Sequence, residues 1–552
     1  MRLRLRGLLL VLAASLAAAP VARAQPEIVP AEHPVYTFLH AQRTAGVLPE
    51  YRHEVRPASR AEIQRLLDAL ERRERRLGKT ARAWLRIYRR ELFEPEGEVE
   101  AWVSGGRFRL PHGRDTEKFI FHTADSTWRF GAELYGRLAA RGARDSLRLS
   151  GGALSGDLVL QGSYRNLVGF YTEITNGTAF SGNPRLLLRD PDLEPLYYQQ
   201  VQPDVGQFDR STAALRVGTP RLFAEIANAR LTMGTGYGDG LILSSRPDYF
   251  SFVRAGFATK AVGYTFVHAV LGDRARNVQN ERGEGLIVGG NERYLALHRL
   301  SVQPIRALSF AFTEMVVYGR RGPELAYLNP VNPFKTSEHA LYDRDNSLFS
   351  LEVTARPARG VEAYGTILVD DLNLGLLGRH SYNNKFALQG GVGVARGAAL
   401  AWAEYTRVEP FTYTHRFFEG GSYYNSYTHN GFGLGHPLGP NADQYEAGLR
   451  LWGPGRVQAT ATARYRRRGE NYALGDSLVN VGGDVADGRQ PSFSERSKRF
   501  LSGTRHDGPG GALTLSWEPV RDVALFRFVL DVQQWSGDVD RAFGRLDVRF
   551  TL

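Results

Sequence analysis

From about residue 98 to the C-terminus, apolar and polar positions alternate with a period of two. Trp128, Phe130, Ala132, Leu134 and Leu138 alternate with Arg129, Glu133 and Arg137. Val361, Ala363, Ile367 and Val369 alternate with Glu362, Tyr364, Thr366 and Asp370. Val457, Ala459, Ala461, Ala463 and Tyr465 alternate with Gln458, Thr460, Thr462, Arg464 and Arg466. Phe526, Phe528 and Leu530 alternate with Arg527 and Asp531. Successive side chains of a strand point to opposite faces, so each segment predicts a strand with one apolar and one charged face. The chain also ends this way: Leu546, Val548, Phe550 and Leu552 against Arg545, Asp547 and Arg549.

Residues 31–94 follow a different period. Val35, Phe38 and Leu39 share one helical face, and Gly46 suits a C-terminal stop. Ser59-Arg-Ala-Glu62 is a capping box before Ile63, Leu66, Leu67 and Leu70. Gly78 is expected to end that helix. Thr80 can cap a third, with Ala81, Trp84, Tyr88 and Leu92 on one face. Each helix has a single apolar stripe, so the three need one another or a larger body to pack on.

A soluble sandwich shares the strand alternation, so other features must decide. Met1–Ala24 reads as a secretory signal: Arg2, Arg4 and Arg6, then an apolar core Gly7–Ala19, then Ala22-Arg-Ala24. Strands recur over about 450 residues, whereas a sandwich domain ends near ~100. A terminal alternating strand suits barrel closure. The expected fold is mainly β: a large antiparallel transmembrane β-barrel of roughly 16 to 20 strands. The expected organisation is a signal peptide at 1–24, a periplasmic helical segment at 25–97 and an outer-membrane barrel at 98–552. The strand ending at Leu552 should pair with the first barrel strand. The chain has no Cys, which removes thiol catalysis and thiolate metal sites. Its formal charge is +12, and four arginines lie in the signal, so the mature chain carries 12 − 4 = +8. For an exported chain, that balance suits anionic lipid or an acidic polymer better than nucleic acid.

Between the alternating segments that start at His298 and end at Asp371 lies a loop rich in Pro, Asn, Asp and aromatics. It includes Tyr327-Leu-Asn-Pro-Val-Asn-Pro-Phe334 and Asp343-Arg-Asp-Asn346. Taken with the Gly-rich run Met233-Gly-Thr-Gly-Tyr-Gly-Asp-Gly-Leu-Ile-Leu-Ser244, with Glu314, Tyr318-Gly-Arg320, Asp370-Asp371, Glu404-Tyr-Thr406, Pro410-Phe-Thr-Tyr413, Tyr427-Thr-His429 and Leu434-Gly-His-Pro-Leu-Gly-Pro-Asn441, the chain resembles the Wzi-type capsule-assembly outer-membrane family. The resemblance implies an 18-stranded barrel with a small helical bundle on the periplasmic side. It also implies a role in holding capsular polysaccharide at the cell surface.

The residues themselves leave three classes open: a polysaccharide-binding surface protein, a diffusion channel, and an outer-membrane hydrolase. A nucleotide cradle at Gly234, Gly236, Gly238 and Gly240 would need a following helix, and Leu241-Ile-Leu243 is no helix start. These glycines suit tight turns or close approach inside a lumen. Glu314, Asp345, Asp370 and Asp371 could include a glycosidase pair. They are better explained as lumen charges paired with Arg299, Arg320, Arg321 and Arg344, because a barrel of this size has a polar interior. Charge facing lipid would cost ~2 to 4 kcal/mol for an Arg at midplane, so all these residues are expected to face inward. His339, His415, His429 and His436 lack metal-binding spacing. No enzyme activity, cofactor or metal is expected.

Sugar binding has the better claim. Tyr318, Tyr327, Tyr413, Tyr424 and Tyr427 offer apolar faces with a hydroxyl, and Asn329, Asn332, Asn346 and Asn441 offer donor and acceptor together. Arg320 and Arg321 suit uronic-acid carboxylates. The loop Tyr327–Asn346 is expected at the extracellular mouth, or else deep in the lumen as a plug. The expected partners are an acidic polysaccharide, outer-membrane lipid and the barrel-assembly machinery, with no nucleic acid.

Overall fold

The computed structural model describes residues 25–93 and 119–551, apart from 125–126, 145–147, 182–197, 203–204, 248, 273–275, 280–284, 289–292, 373–374, 376–380, 418–422, 490–496, 521–522 and 538–539. The signal, the 94–118 segment and Leu552 lie outside the described residues. Eighteen antiparallel strands close into a barrel. In chain order they are β1 (Trp128–Arg144), β2 (Arg148–Tyr164), β3 (Val168–Ser181), β4 (Val205–Gly218), β5 (Leu222–Ala229), β6 (Phe250–Ala258), β7 (Val262–Leu271), β8 (Arg293–Ile305) and β9 (Leu308–Gly319). The second half comprises β10 (Asn346–Ala358), β11 (Val361–Asp371), β12 (Lys385–Arg396), β13 (Ala399–Val408), β14 (Ala442–Trp452), β15 (Val457–Glu470), β16 (Thr504–Val520), β17 (Ala524–Gln533) and β18 (Arg541–Thr551). Closure is made by β18 on β1, from Ala542 opposite Arg144 to Thr551 opposite Tyr135.

The two ends of the barrel differ. One carries tight turns, such as those between β8 and β9 or β12 and β13. The other carries the long connections after β5, β9, β13 and β15. The alternation read from sequence sets which face each residue takes. Trp128, Leu138, Phe310, Phe312 and Leu351 are exposed on the outer wall. Glu362, Thr366, Arg464 and Asp531 point into the lumen, where Arg464 grips Asp531 through two hydrogen bonds of 2.6 and 2.9 Å.

The helices sit at the turn end and reach into the lumen. Helix α1 spans Val35–Thr44 and is followed by Gly46 at φ +72°, which an L side chain rarely adopts. Helix α2 spans Arg60–Glu71, with the Ser59 hydroxyl accepting from the Glu62 amide at 3.2 Å. It stops at Glu71, seven residues before the expected stop at Gly78, and a short 3-10 turn follows. Helix α3 spans Lys79–Phe93, so Thr80 lies in its first turn rather than capping it. Val35, Phe38, Leu39, Ile63, Leu66 and Leu67 are fully buried, each contributing ~1.5–3 kcal/mol. The bundle is tied to the barrel's turns: Trp84 Nε1 donates to the Gly453 carbonyl at 2.9 Å, and Gln42 Nε2 to Gly397 at 3.1 Å.

A barrel of this width would leave an aqueous channel if empty. Here two loops from the far end fold inward to meet the helices. The β5–β6 connection descends the lumen, and its Thr232–Met233 pairs with Val55–Arg56 just before α2. The β13–β14 connection packs on top of it, burying Leu241, Ile242 and Leu243 with Tyr413, Tyr427 and Leu434 against Leu297, Met315 and Leu348 of the wall.

The β9–β10 connection does neither of the expected things. It folds over the outside of the wall as two short helices, α4 (Leu325–Leu328) and α5 (Phe334–Ala340), covering Phe266, Ala296, Val316 and Tyr318. Glu314 has the same parity on β9 as the exposed Phe310 and Phe312, so it is an outer-wall residue beneath α5, not a lumen residue.

Candidate functional site: an occupied lumen beneath a loop-built mouth

The deepest contact joins the helical segment to the Gly-rich run. Gly234 and Gly236, at φ +125° and +151°, let the chain turn inside the lumen without a Cβ. Their amide neighbours are then aimed at wall carboxylates: Thr235 N donates to Glu352 at 2.7 Å and Tyr237 N to Glu404 at 3.1 Å. The Tyr237 ring lies between Trp402 and His40, at centroid distances of 6.0 and 5.1 Å. It also lies over Gly393, where any Cβ would collide with its hydroxyl.

Around His40 lies a buried charge network. His40 Nε2 is 2.8 Å from Glu362 Oε1, while Arg43 donates to Glu362 Oε2 at 2.8 Å and to Glu54 at 3.2 Å. Arg356 approaches Glu362 at 3.4 Å, and Arg299 pairs with Glu352 nearby. Burial lowers the pKa of His40 against the pull of Glu362. It lowers His53 further, with His40 and Arg43 adding to the effect. Burial opposes the charge on Glu54, but Arg43 and Arg299 outweigh it and hold its carboxyl below the usual range. Ligand atoms of His40, His53 and Glu362 lie within 4.8 Å of one another. The two imidazoles, however, stack face to face at 3.8 Å and 19°. Their in-plane lone pairs do not converge, and Arg43 and Arg356 already engage Glu362. The arrangement is an ion-pair latch.

Higher up, hydroxyls of one loop hold the backbone of the other. Tyr413 donates to the Leu241 carbonyl at 2.8 Å and Tyr427 to Ile242 at 2.9 Å. The Tyr413 amide donates to Asp370 at 2.7 Å. A bulge after Val369 brings Asp371 to Lys385 at 2.7 Å. Burial holds His415 down to about 3 and His429 and His436 to about 4, so all three stay neutral.

No family model matches the chain, and no curated protein does. Among solved structures, Wzi, a carbohydrate-binding β-barrel of the Escherichia coli outer membrane involved in group 1 capsule assembly, aligns with TM-score 0.56 over 95% of this chain and 99% of its own, at 14% identity. The fold is that of Wzi. OpdQ and OprD of Pseudomonas aeruginosa align over 77% of this chain and 97% and 93% of theirs, with TM-scores of 0.42 and 0.41 and identities of 9% and 12%. At that level the likeness carries no functional argument.

In this Wzi-like barrel, most of the sugar-binding candidates are spent on the protein itself. Tyr318 meets His268 at 2.7 Å, and Tyr327 donates to Asp345 at 2.8 Å, both on the outer wall. Arg321 grips Asp345 through hydrogen bonds of 3.0 and 2.5 Å. Asn329 accepts from the Val331 amide, and Asn332 donates to Ala326. Asn346 donates to Asn425 at 3.0 Å. Asn441 sits at φ +56° and ties the end of β15 to the following loop, through Gly469, Ser502 and Leu501. Of the expected lumen set, Arg299 and Asp370 lie on the inward face, Arg299 beside Glu352 and Asp370 beside the Tyr413 amide. Glu314 and Asp345 lie on the outer side of the wall from Asp370, so neither can pair with it. Arg320 and Arg344 lie beyond the strand ends, where alternation no longer assigns a face.

At the mouth lies a set of arginine–aromatic pairs. Arg320 lies 5.5 Å over Tyr424, Arg246 5.8 Å over Phe432 and Arg416 5.2 Å over Phe417. Arg246, Arg344 and Arg416 are exposed. Sequence reasoning missed Arg246 and Arg416, and also His40, Arg43 and His53. The first two stood in unremarkable loops. The other three lie on α1 or just after it, where a polar face reads as solvated.

Proposed function

We propose that this protein is an outer-membrane barrel, exported after removal of residues 1–24 and inserted by the barrel-assembly machinery, that binds an acidic extracellular polysaccharide and holds it at the cell surface. The observation that carries this reading is the occupation of the lumen from both ends. Helices from the turn end and loops from the long-loop end meet and latch inside it, which suits a surface for binding rather than a path for diffusion. With long loops outward, as in transmembrane barrels generally, the mouth faces the medium. There Arg246, Arg320, Arg344 and Arg416 meet uronic-acid carboxylates, and the stacked aromatics Tyr424, Phe432 and Phe417 stiffen the guanidinium planes. Asn441, Asn346, Tyr413 and Tyr427 position the loops that carry these groups. Many weak contacts hold a long polymer because tethered sites act at high effective concentration.

The test is the triple variant Arg246→Ala, Arg320→Ala, Arg416→Ala. It should shed polymer into the medium, more so at high salt, while the barrel still assembles. Retention of the full surface layer would sink the tether. Ion conductance by the unmodified protein in planar bilayers would instead favour a channel.

A further inference from the structure

The β9–β10 excursion, residues 320–345, lies on a part of the outer wall that a membrane barrel presents to lipid. Exposed Leu300, Phe310, Phe312 and Leu351 border it below and beside it. Its own Leu325 and Val331 are 80% exposed and Tyr342 is 90% exposed, facing away from the barrel. Beneath it sits a polar pair on the outer face: His298 Nε2 and Glu314 Oε2 are 2.7 Å apart. Phe334 stacks on His298 at 4.4 Å and 16°, and the Lys335 amide donates to Glu314 at 2.7 Å.

We propose that this excursion is a re-entrant lasso embedded in the outer leaflet, with its tip at Pro330–Val331 among lipid acyl chains. The proposal rests on the outer-membrane reading above. The tip is fixed in height by Tyr264, whose hydroxyl donates to the Pro330 carbonyl. Through Leu300, Tyr264 is in register with Phe312, seven residues below the end of β9. At ~3.3 Å per residue and a tilt near 45°, seven residues are ~16 Å of height, which the two lateral strand steps change by ~7 Å, so the tip lies ~9–23 Å below the strand end, within an apolar band of ~25 Å.

Irregular backbone is tolerated at that depth only if its polar groups are satisfied without water. Several of this segment's polar groups meet that condition. Pro323, Pro330 and Pro333 have no amide hydrogen to satisfy. The Glu324 amide donates to Tyr318 at 3.1 Å, Leu328 to Glu324 at 3.0 Å and Val331 to Asn329 Oδ1 at 3.2 Å. Asn332 Nδ2 closes on the Ala326 carbonyl at 2.9 Å. Exposed Leu325, Pro330, Val331 and Pro333 form the tip together with Asn329, while exposed His339, Asp343 and Arg344 follow on the return to β10, at headgroup level.

The chain has no Cys, so an introduced one is unique. Val331→Cys, Leu351→Cys and Asp476→Cys are each nitroxide-labelled, reconstituted in phosphatidylcholine vesicles and read for collision with oxygen and with a water-soluble nickel complex. The oxygen-to-nickel ratio at Val331 should match that at Leu351 and stand severalfold above that at Asp476. A water-like ratio at Val331 with a lipid-like ratio at Leu351 overturns the lasso and leaves the barrel reading intact. A label at Val331 shielded from both reagents means a second protein covers the tip, and also overturns it. A water-like ratio at Leu351 itself removes the membrane reading and the lasso with it.

Discussion

Tyr237 lies flat against His40, ring centroids 5.1 Å apart and planes only 3° from parallel. One residue belongs to a loop that starts from the long-loop end of the barrel. The other belongs to a helix anchored at the turn end. Their contact is where the two halves of the plug meet. On the far side of His40 the ring of His53 follows at 3.8 Å, so three rings form a short stack.

Replacing Tyr237 with Ala should open that junction. A buried aromatic truncated to Ala typically costs ~3–5 kcal/mol. The expected result is a lower thermal midpoint and a gain of ion conductance in planar bilayers, where the unmodified protein conducts little. A variant as closed as the parent would show that other contacts seal the lumen.

Arg43 should matter more than its helix position suggests. Arg43→Met leaves Glu54 without its cation and Glu362 with fewer partners, and breaking a buried pair costs ~3–5 kcal/mol. Adding Glu54→Gln should recover part of that loss, because it removes the orphaned charge. Thermal unfolding of the two variants side by side checks this, and equal midpoints would argue against the pairing.

Acid should loosen the bundle. Burial holds His40 and His53 below their ordinary value of 6.5. The unfolded chain therefore takes up protons first. Stability is full above about pH 6.5 and falls as the pH drops through it, by ~1.4 kcal/mol per unit for each histidine while the folded state stays unprotonated. Melting curves between pH 7.5 and 5.5 should show the decline, and His53→Gln should flatten it.

Asn441→Ala removes three side-chain hydrogen bonds and places a Cβ-bearing residue without local support at φ +56°. The expected cost is ~2–3 kcal/mol. Trypsin should then cut faster at Lys498 or Arg499 in the loop that Asn441 holds. Asn441→Gly relieves the backbone but not the lost bonds, so it should fall between the two. Unchanged cleavage would mean the loop is held elsewhere.

The strands, the closing pair and the three helices were legible because alternation and helical spacing are local. The resemblance in the Gly-rich and loop segments pointed to the same architecture. Alternation also carried more than was drawn from it. Glu314 is two residues from Phe312, so its outward parity stood in the sequence, hidden by the assumption that charge must face the lumen. The assumption failed because α5 supplies a polar and aromatic cover on the outside. Arg320, Arg321 and Asp345 lie past the strand ends, where no period assigns a face. The latch at His40, Arg43 and Glu362 joins residues 322 and 319 positions apart, and no local pattern encodes that.

That separation bears on how the chain is made. Arg43 is synthesised early and waits for Glu362, while Trp84 waits for Gly453 and Tyr88 for Gln458, at spans of 369 and 370 residues. Contacts so distant in sequence give no return until most loop-closure entropy has been spent, so folding is slow and late. A nascent chain that stops short of β11 carries buried-type cations with nothing to bury them against. Such fragments would be recognisable to a protease as unfinished, and the same latch that joins helix to wall would also certify that the chain is whole.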